Sequence, residues 1–242
     1  MNVKTIIIIA GALLGCFTDN AAYAHHLWVV KTDDYYMVAR GVLAERMDPY
    51  NPNCVKEFVA VGLDGIALPS TKIQRIDDAQ RVRFRVAQDV SLVGVSADWG
   101  YRVNTTRGKK LLRRQEAEQA GFRVVDAFFS TQCAKVFLKE SPWNTKPIGM
   151  KLELVPLQDP QTMSVGSELS MQAFFNGKPL AGIIVLAKEG KEISTDENGT
   201  GRIKIKKEGP HLLMMKHKAP VKGDPEKDFH LFTTFLLFEV RK

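Results

Sequence analysis

Apolar positions recur along this chain with a spacing of two. Runs such as YYMVARGV (35–42), KEFVAVGL (56–63), RVRFRVA (81–87) and SLVGVSA (91–97) are short, rich in β-branched residues and bounded by turn formers. Alternation of that kind marks half-buried strands. The pattern returns in KLELVPL (151–157), ELSMQAFF (168–175), AGIIVLAKE (181–189), GRIKIKK (201–207), HLLMMKHK (211–218) and HLFTTFLLFEV (230–240). One segment breaks the period: KKLLRRQEAEQAG (109–121) consists of good helix formers and stops at a glycine, so it predicts a short helix. SPWNTKPIG (141–149), rich in Pro, Gly and small polar residues, predicts a boundary. The expected class is therefore all-β: two β-sandwich (Ig-like) domains, residues 25–147 and 148–242, the first carrying the helix as an insertion.

Two turns are explicit. Asn176-Gly177-Lys178-Pro179 and Asp196-Glu197-Asn198-Gly199 place Asn, Gly and Pro where tight connections need them. The second lacks the alternating carboxylates and distant Glu of a calcium loop and reads as a plain turn.

The first 24 residues have the form of an export signal. Lys4 supplies a positive charge, residues 6–17 an apolar stretch, and Ala22-Tyr23-Ala24 a small-x-small cleavage site. The apolar stretch falls short of the roughly 20 residues a spanning helix needs, and no later segment reaches that length. Leu13-Leu14-Gly15-Cys16 offers a competing lipoprotein reading, with Cys16 as an anchored first residue, but the cleaner cut lies after Ala24. The expected location is the periplasm, and the expected first residue is His25. That cut leaves the formal charge at +7, a basic surface that attracts anions but names no partner. It also leaves two cysteines, Cys54 and Cys133, which an oxidising compartment predicts to be paired in a disulfide.

Candidate chemistry rests on five histidines: His25, His26, His211, His217 and His230. A mature His25 would offer its amine and its ring nitrogen together as a chelate, with His26 supplying a further nitrogen. Imidazole and amine suit nickel, cobalt or copper, and thioether sulfur favours reduced copper. In HLLMMKHK the two-residue period puts Met215 and His217 on one face, close enough to share an ion, whereas His211 is too far along an extended strand at about 3.3 Å per residue. The bland alternatives are a solvated N-terminus, a core methionine and, for His230, a strand-end packing role. The basic segment from Arg102 through Arg107, Lys109 and Lys110 to Arg113 and Arg114 reads first as a solvated face, and second as an anion site for phosphate or carboxylate. No Gly-x-Ser-x-Gly, phosphate-cradling Gly loop or His-Glu-x-x-His occurs, and no aromatic platform motif suggests nucleic acid. A copper oxygenase with an N-terminal His is the one enzyme reading with a residue behind it.

From Leu152-Glu153-Leu154-Val155-Pro156-Leu157 through Asp159-Pro160, Gly177-Lys178-Pro179-Leu180-Ala181-Gly182 and Thr195-Asp196-Glu197-Asn198-Gly199 to Lys216-His217, the chain resembles a family of exported proteins. These are described as periplasmic components of nickel or cobalt uptake systems (NikM-like), and often as a domain of unknown function. Ala24-His25-His26-Leu27-Trp28 resembles the start of that family. The resemblance implies a metal-binding accessory rather than an enzyme, handing an ion to a membrane permease or outer-membrane receptor, and it places a histidine at both 25 and 217; with His26 and Met215, read from residue type and spacing, these are the candidate ligands. A β-sandwich interaction module without a metal role is the alternative from a different class.

Overall fold

A computed structural model describes residues 25–43, 45–188 and 190–240. The leader and the Cys16 reading lie outside the described residues. In chain order the strands are β1 (His26–Lys31), β2 (Tyr36–Val42), β3 (Arg46–Met47), β4 (Val55–Gly62), β5 (Ala67–Leu68), β6 (Ile73–Asp77), β7 (Val82–Val86), β8 (Val90–Thr105) and β9 (Gly108–Lys110). They continue after helix α1 (Arg114–Gln119) as β10 (Val124–Phe137), β11 (Leu152–Pro156), β12 (Glu168–Phe175), β13 (Lys178–Pro179), β14 (Ile184–Ala187), β15 (Glu192–Ser194), β16 (Thr200–Lys204), β17 (Gly209–Pro220) and β18 (Phe229–Val240). The all-β class follows directly. No helix among the described residues is long and apolar enough to cross a membrane.

The strands form three sheets. A large central sheet runs β15-β14-β17-β18-β10-β8-β4-β5, with β9 on β8. One small sheet holds β1-β2-β7-β6 with β3, the other β11-β12-β13 with β16. Each small sheet covers part of the central one. The first core joins Leu27, Val38 and Phe84 to Val95, Ala134, Leu212 and Phe235; the second joins Leu154, Met171 and Ile203 to Leu213, Met215 and Leu236. Strands β17 and β18 give neighbouring residues to the two cores, and neighbours on a strand point to opposite faces. The small sheets therefore lie on opposite faces of the shared one. Instead of two sandwiches side by side, the chain builds two cores around a common sheet.

One pairing crosses the expected boundary. β18 runs parallel to β10, with Thr131 beside Phe232 and Cys133 beside Thr234, and antiparallel to β17. A buried ion pair reinforces the junction: Lys135 on β10 donates to Glu153 Oε1 on β11 at 2.5 Å, both side chains 2% exposed. Glu153 also accepts the backbone N–H groups of Ile148 and Met150.

Two expectations need correction. Helix formers extend over 109–121, but only Arg114–Gln119 is helical, because Gly108–Lys110 pairs back onto β8 after a turn at a left-handed Gly108. Cys54 and Cys133 are free thiols. Cys54 precedes β4 and Cys133 lies on β10, with β8 between them. Two strand spacings amount to about 9–10 Å, beyond the usual 4.4–6.8 Å Cα separation of a disulfide. Cys133 is near Ser96 instead, Sγ to Oγ 3.6 Å, and burial pushes its thiol up to about 11.

Candidate functional site

His25 enters the fold at the edge of the first core. Its carbonyl accepts from Gln132 Nε2 on β10 at 2.9 Å, which fixes the chain just before β1. Its ring Nε2 stands 3.0 Å from Asp48 Oδ2. That separation is an ion-pair distance without hydrogen-bond alignment, so Asp48 Oδ2 still counts as a buried acceptor lacking an in-line donor. Asp48 Oδ1 accepts from Arg46 Nε at 2.7 Å. Burial, then the Arg40 charge, lowers the pKa of His25, with smaller contributions from Arg46 and Arg102; Asp48 opposes them. The ring is therefore held toward its neutral form.

Gly41 makes this geometry possible. It lies opposite His26 in the β1–β2 ladder at φ +143°, and a Cβ there would sit 2.1 Å from the Arg46 carbonyl oxygen. Only glycine lets the 46–48 backbone cross so closely. The crossing is sealed by the Asp48 N–H donating to the Arg40 carbonyl at 2.7 Å, and it delivers the Asp48 carboxylate to His25.

His26 plays a different part. It is 8% exposed, its ring edge-on to Phe235 at 5.8 Å, and its Nδ1 accepts from the Leu43 N–H at 3.2 Å. Because the donor is a backbone amide, Nδ1 carries no proton and its lone pair is occupied. Lys188 Nζ donates to the Leu43 carbonyl at 2.8 Å, so the loop is clamped from both halves of the chain. Burial, then Lys188, lowers the His26 pKa. This histidine holds the loop in place.

The proposed partners from β17 lie elsewhere. Met215 is fully buried in the second core. His217, two residues on, faces the same way and packs its ring 4.3 Å from Phe175. His25 and His26 belong to the first-core face, so the thickness of the central sheet separates the two pairs. The structure brings Met215 and His217 to one side and His25 and His26 to the other, and the four do not converge. Among the described residues, no group of three or more His, Cys, Asp or Glu side chains is placed to hold an ion. His211 stacks on Phe238, and its Nε2 lies 2.9 Å from the Lys207 carbonyl. His230 stacks on Phe232 and bonds Thr131, which donates to Asp98 at 2.5 Å.

The basic segment also resolves into separate roles. Arg113 lies over Tyr101, Lys110 over Phe122 and Lys109 over Phe128, while Arg114 pairs with Asp228. Arg102 stands apart: it is half-buried, and its Nη1 donates to the neighbouring Tyr101 carbonyl at 2.8 Å.

Sequence reasoning reached His25 but missed Asp48, Arg40 and Gln132. Arg40 left a signal, a charge inside the apolar alternation YMVARGV and next to a glycine. Asp48 and Gln132 left none, since each meets His25 only through long-range folding.

No curated protein matches the chain. Residues 22–219 match a family described as a domain of unknown function (DUF4198), and the chain belongs to that family.

Proposed function

We propose that the protein is an exported carrier of a divalent transition metal, nickel or cobalt with copper as a further candidate, and that the ion is cargo held at a processed His25. The observation that carries this reading is the His25–Asp48 pair. A metal-binding histidine commonly directs its other ring nitrogen at a carboxylate, which sets tautomer and orientation. With Nε2 3.0 Å from Asp48 Oδ2, the ring nitrogen left for an ion is Nδ1. Cleavage after Ala24 would add the free amine, and amine plus Nδ1 on one residue close a chelate ring. Nitrogen donors suit nickel(II), cobalt(II) and copper(II). Met215, sealed in the second core, contributes no thioether, which weighs against a site for reduced copper.

The resemblance to uptake components supports binding and handover, with a membrane permease or outer-membrane receptor as recipient. The test is calorimetric titration of nickel, cobalt and copper into two forms, one beginning at His25 and one retaining Ala24. The reading expects tight binding in the first and a large loss in the second, because the added residue turns the amine into an amide. Equal affinity in the two forms would sink it.

A further inference from the structure

Three side chains that bear on His25, and Trp99 beneath one of them, bury polar atoms without an aligned hydrogen-bond partner: Arg40 Nε, Asp48 Oδ2, Gln132 Oε1 and Trp99 Nε1. The two donors among them are neighbours, since the Arg40 guanidinium lies 4.5 Å over the Trp99 ring. Trp99 is only 9% exposed. Its indole can only donate, so a buried unpaired Nε1 calls for an acceptor. Arg102 lies on the same strand, β8, past a register shift opposite Ser130 and Thr131.

No carboxylate is within ion-pair distance of Arg40 or Arg102 among the described residues. Asp48 bears on Arg40 electrostatically, but its oxygens are directed at Arg46 and His25. Burial destabilises both guanidinium charges, and the Arg40 charge further disfavours that of Arg102. Two cations thus share one desolvated region, which is costly unless an anion joins them. The Cys54 thiol bears on both, yet burial holds it protonated, so it is not that anion. Lys109, Lys110, Arg113 and Arg114 of the 102–114 segment have ring faces or a carboxylate to occupy them, and Arg107 is exposed to solvent, so Arg102 differs in being a half-buried cation with neither.

We propose that Arg40 and Arg102, with the indole N–H of Trp99, form a binding site for an oxyanion, a carboxylate or a phosphate, beside His25. Guanidinium groups match such anions through paired, charge-assisted hydrogen bonds, and the indole adds one directed donor. The site stands without the metal reading. Its consequence for that reading is that the same guanidiniums repel a bare dication from His25, so the cargo is a metal ion accompanied by an anion. Linkage then requires anion and metal to strengthen each other's binding equally.

The experiment is titration of the full-length, metal-free chain with inorganic phosphate and, separately, with citrate. It is followed by calorimetry, by indole fluorescence and by the rise in melting temperature that ligand binding gives. Saturable binding is expected, weakened about tenfold or more by Arg40→Gln or Arg102→Gln, and kept in His25→Ala. Trp99→Phe keeps both cations but weakens binding and abolishes the fluorescence response. A response to citrate alone assigns a carboxylate, and one to phosphate alone assigns a phosphate. Should an arginine variant fail to fold, the Trp99→Phe comparison and the wild-type melting shift carry the test. Absence of saturable binding for both anions, or binding indifferent to all three site substitutions, overturns the proposal. Anion binding without metal binding leaves this site standing and removes the metal carrier.

Discussion

The two faces of the central sheet use the same residue types for opposite ends. Strand β17 supplies both: Leu212 and Met214 pack with the first core, and Leu213 and Met215 with the second. On the second-core face, rings meet rings, with His217 on Phe175, Phe175 on Phe232 and Phe232 on His230. On the first-core face, near the edge, His25 meets a carboxylate, and among the described residues two arginines have no carboxylate at ion-pair distance and several buried polar atoms no aligned partner. A histidine in the first setting packs against rings, whereas His25 in the second faces a carboxylate and polar neighbours. Residue type and spacing are alike in the two settings; the neighbours brought by folding decide the role.

That contrast can be broken first at the junction between the cores. Replacing Glu153 by Ala leaves Lys135 buried without its counter-ion and strips two backbone donors of their acceptor, and should cost about 3–5 kcal/mol, read as a shifted urea midpoint. Next, Met215→Ala opens a cavity in the second core and should cost about 2–5 kcal/mol, while metal titration stays as in the parent. His25→Ala should do the reverse, with urea stability within about 0.5 kcal/mol of the parent and metal affinity lost. Asp48→Asn, which keeps the shape but removes the charge facing Nε2, should weaken metal binding about 10–100-fold. If Met215→Ala lowered metal affinity as His25→Ala does, the separation of the faces would be wrong.

The smallest effects concern protons and thiols. Burial lowers the pKa of His26, His217 and His230, so folding favours their neutral forms. Their contribution to stability is complete above the ordinary value of about 6.5 and is lost as pH falls through the lower folded-state values. Urea midpoints should therefore decline between neutral and mildly acidic pH, and a His217→Phe, His230→Phe variant should decline less. Thiol labelling after unfolding without reductant should modify both Cys54 and Cys133; labelling of neither would restore the disulfide.

Much of the strand plan was legible. The alternation in 35–42, 168–175, 211–218 and 230–240 became β2, β12, β17 and β18 nearly to the residue. Alternation also correctly put Met215 and His217 on one face. What it could not supply was which sheet each face meets, because that depends on pairings between distant segments such as β10 with β18. β10 itself escaped notice, since VVDAFFSTQCAKVF mixes polar and small residues on both faces, as a strand covered on both sides by different sheets can. The helix was overdrawn because Lys109 and Lys110 have helical propensity, and a hairpin turn at Gly108 overrode it. The expected ligands did not converge for a related reason: His25 and His217 were joined by type and by resemblance, with nothing in the sequence to fix their distance.

The parallel pairing of β18 with β10 has a consequence for how the chain reaches its native state. Phe235 on β18 is part of the first core, yet most of that core comes from residues before 100. The early segments can collapse, but they lack a central strand until residues 229–240 are released, and such distant pairings slow folding. Until then β10 presents an open edge to any other strand in reach. The early span thus depends on the last strand made, and completing the central sheet is the step that closes its core.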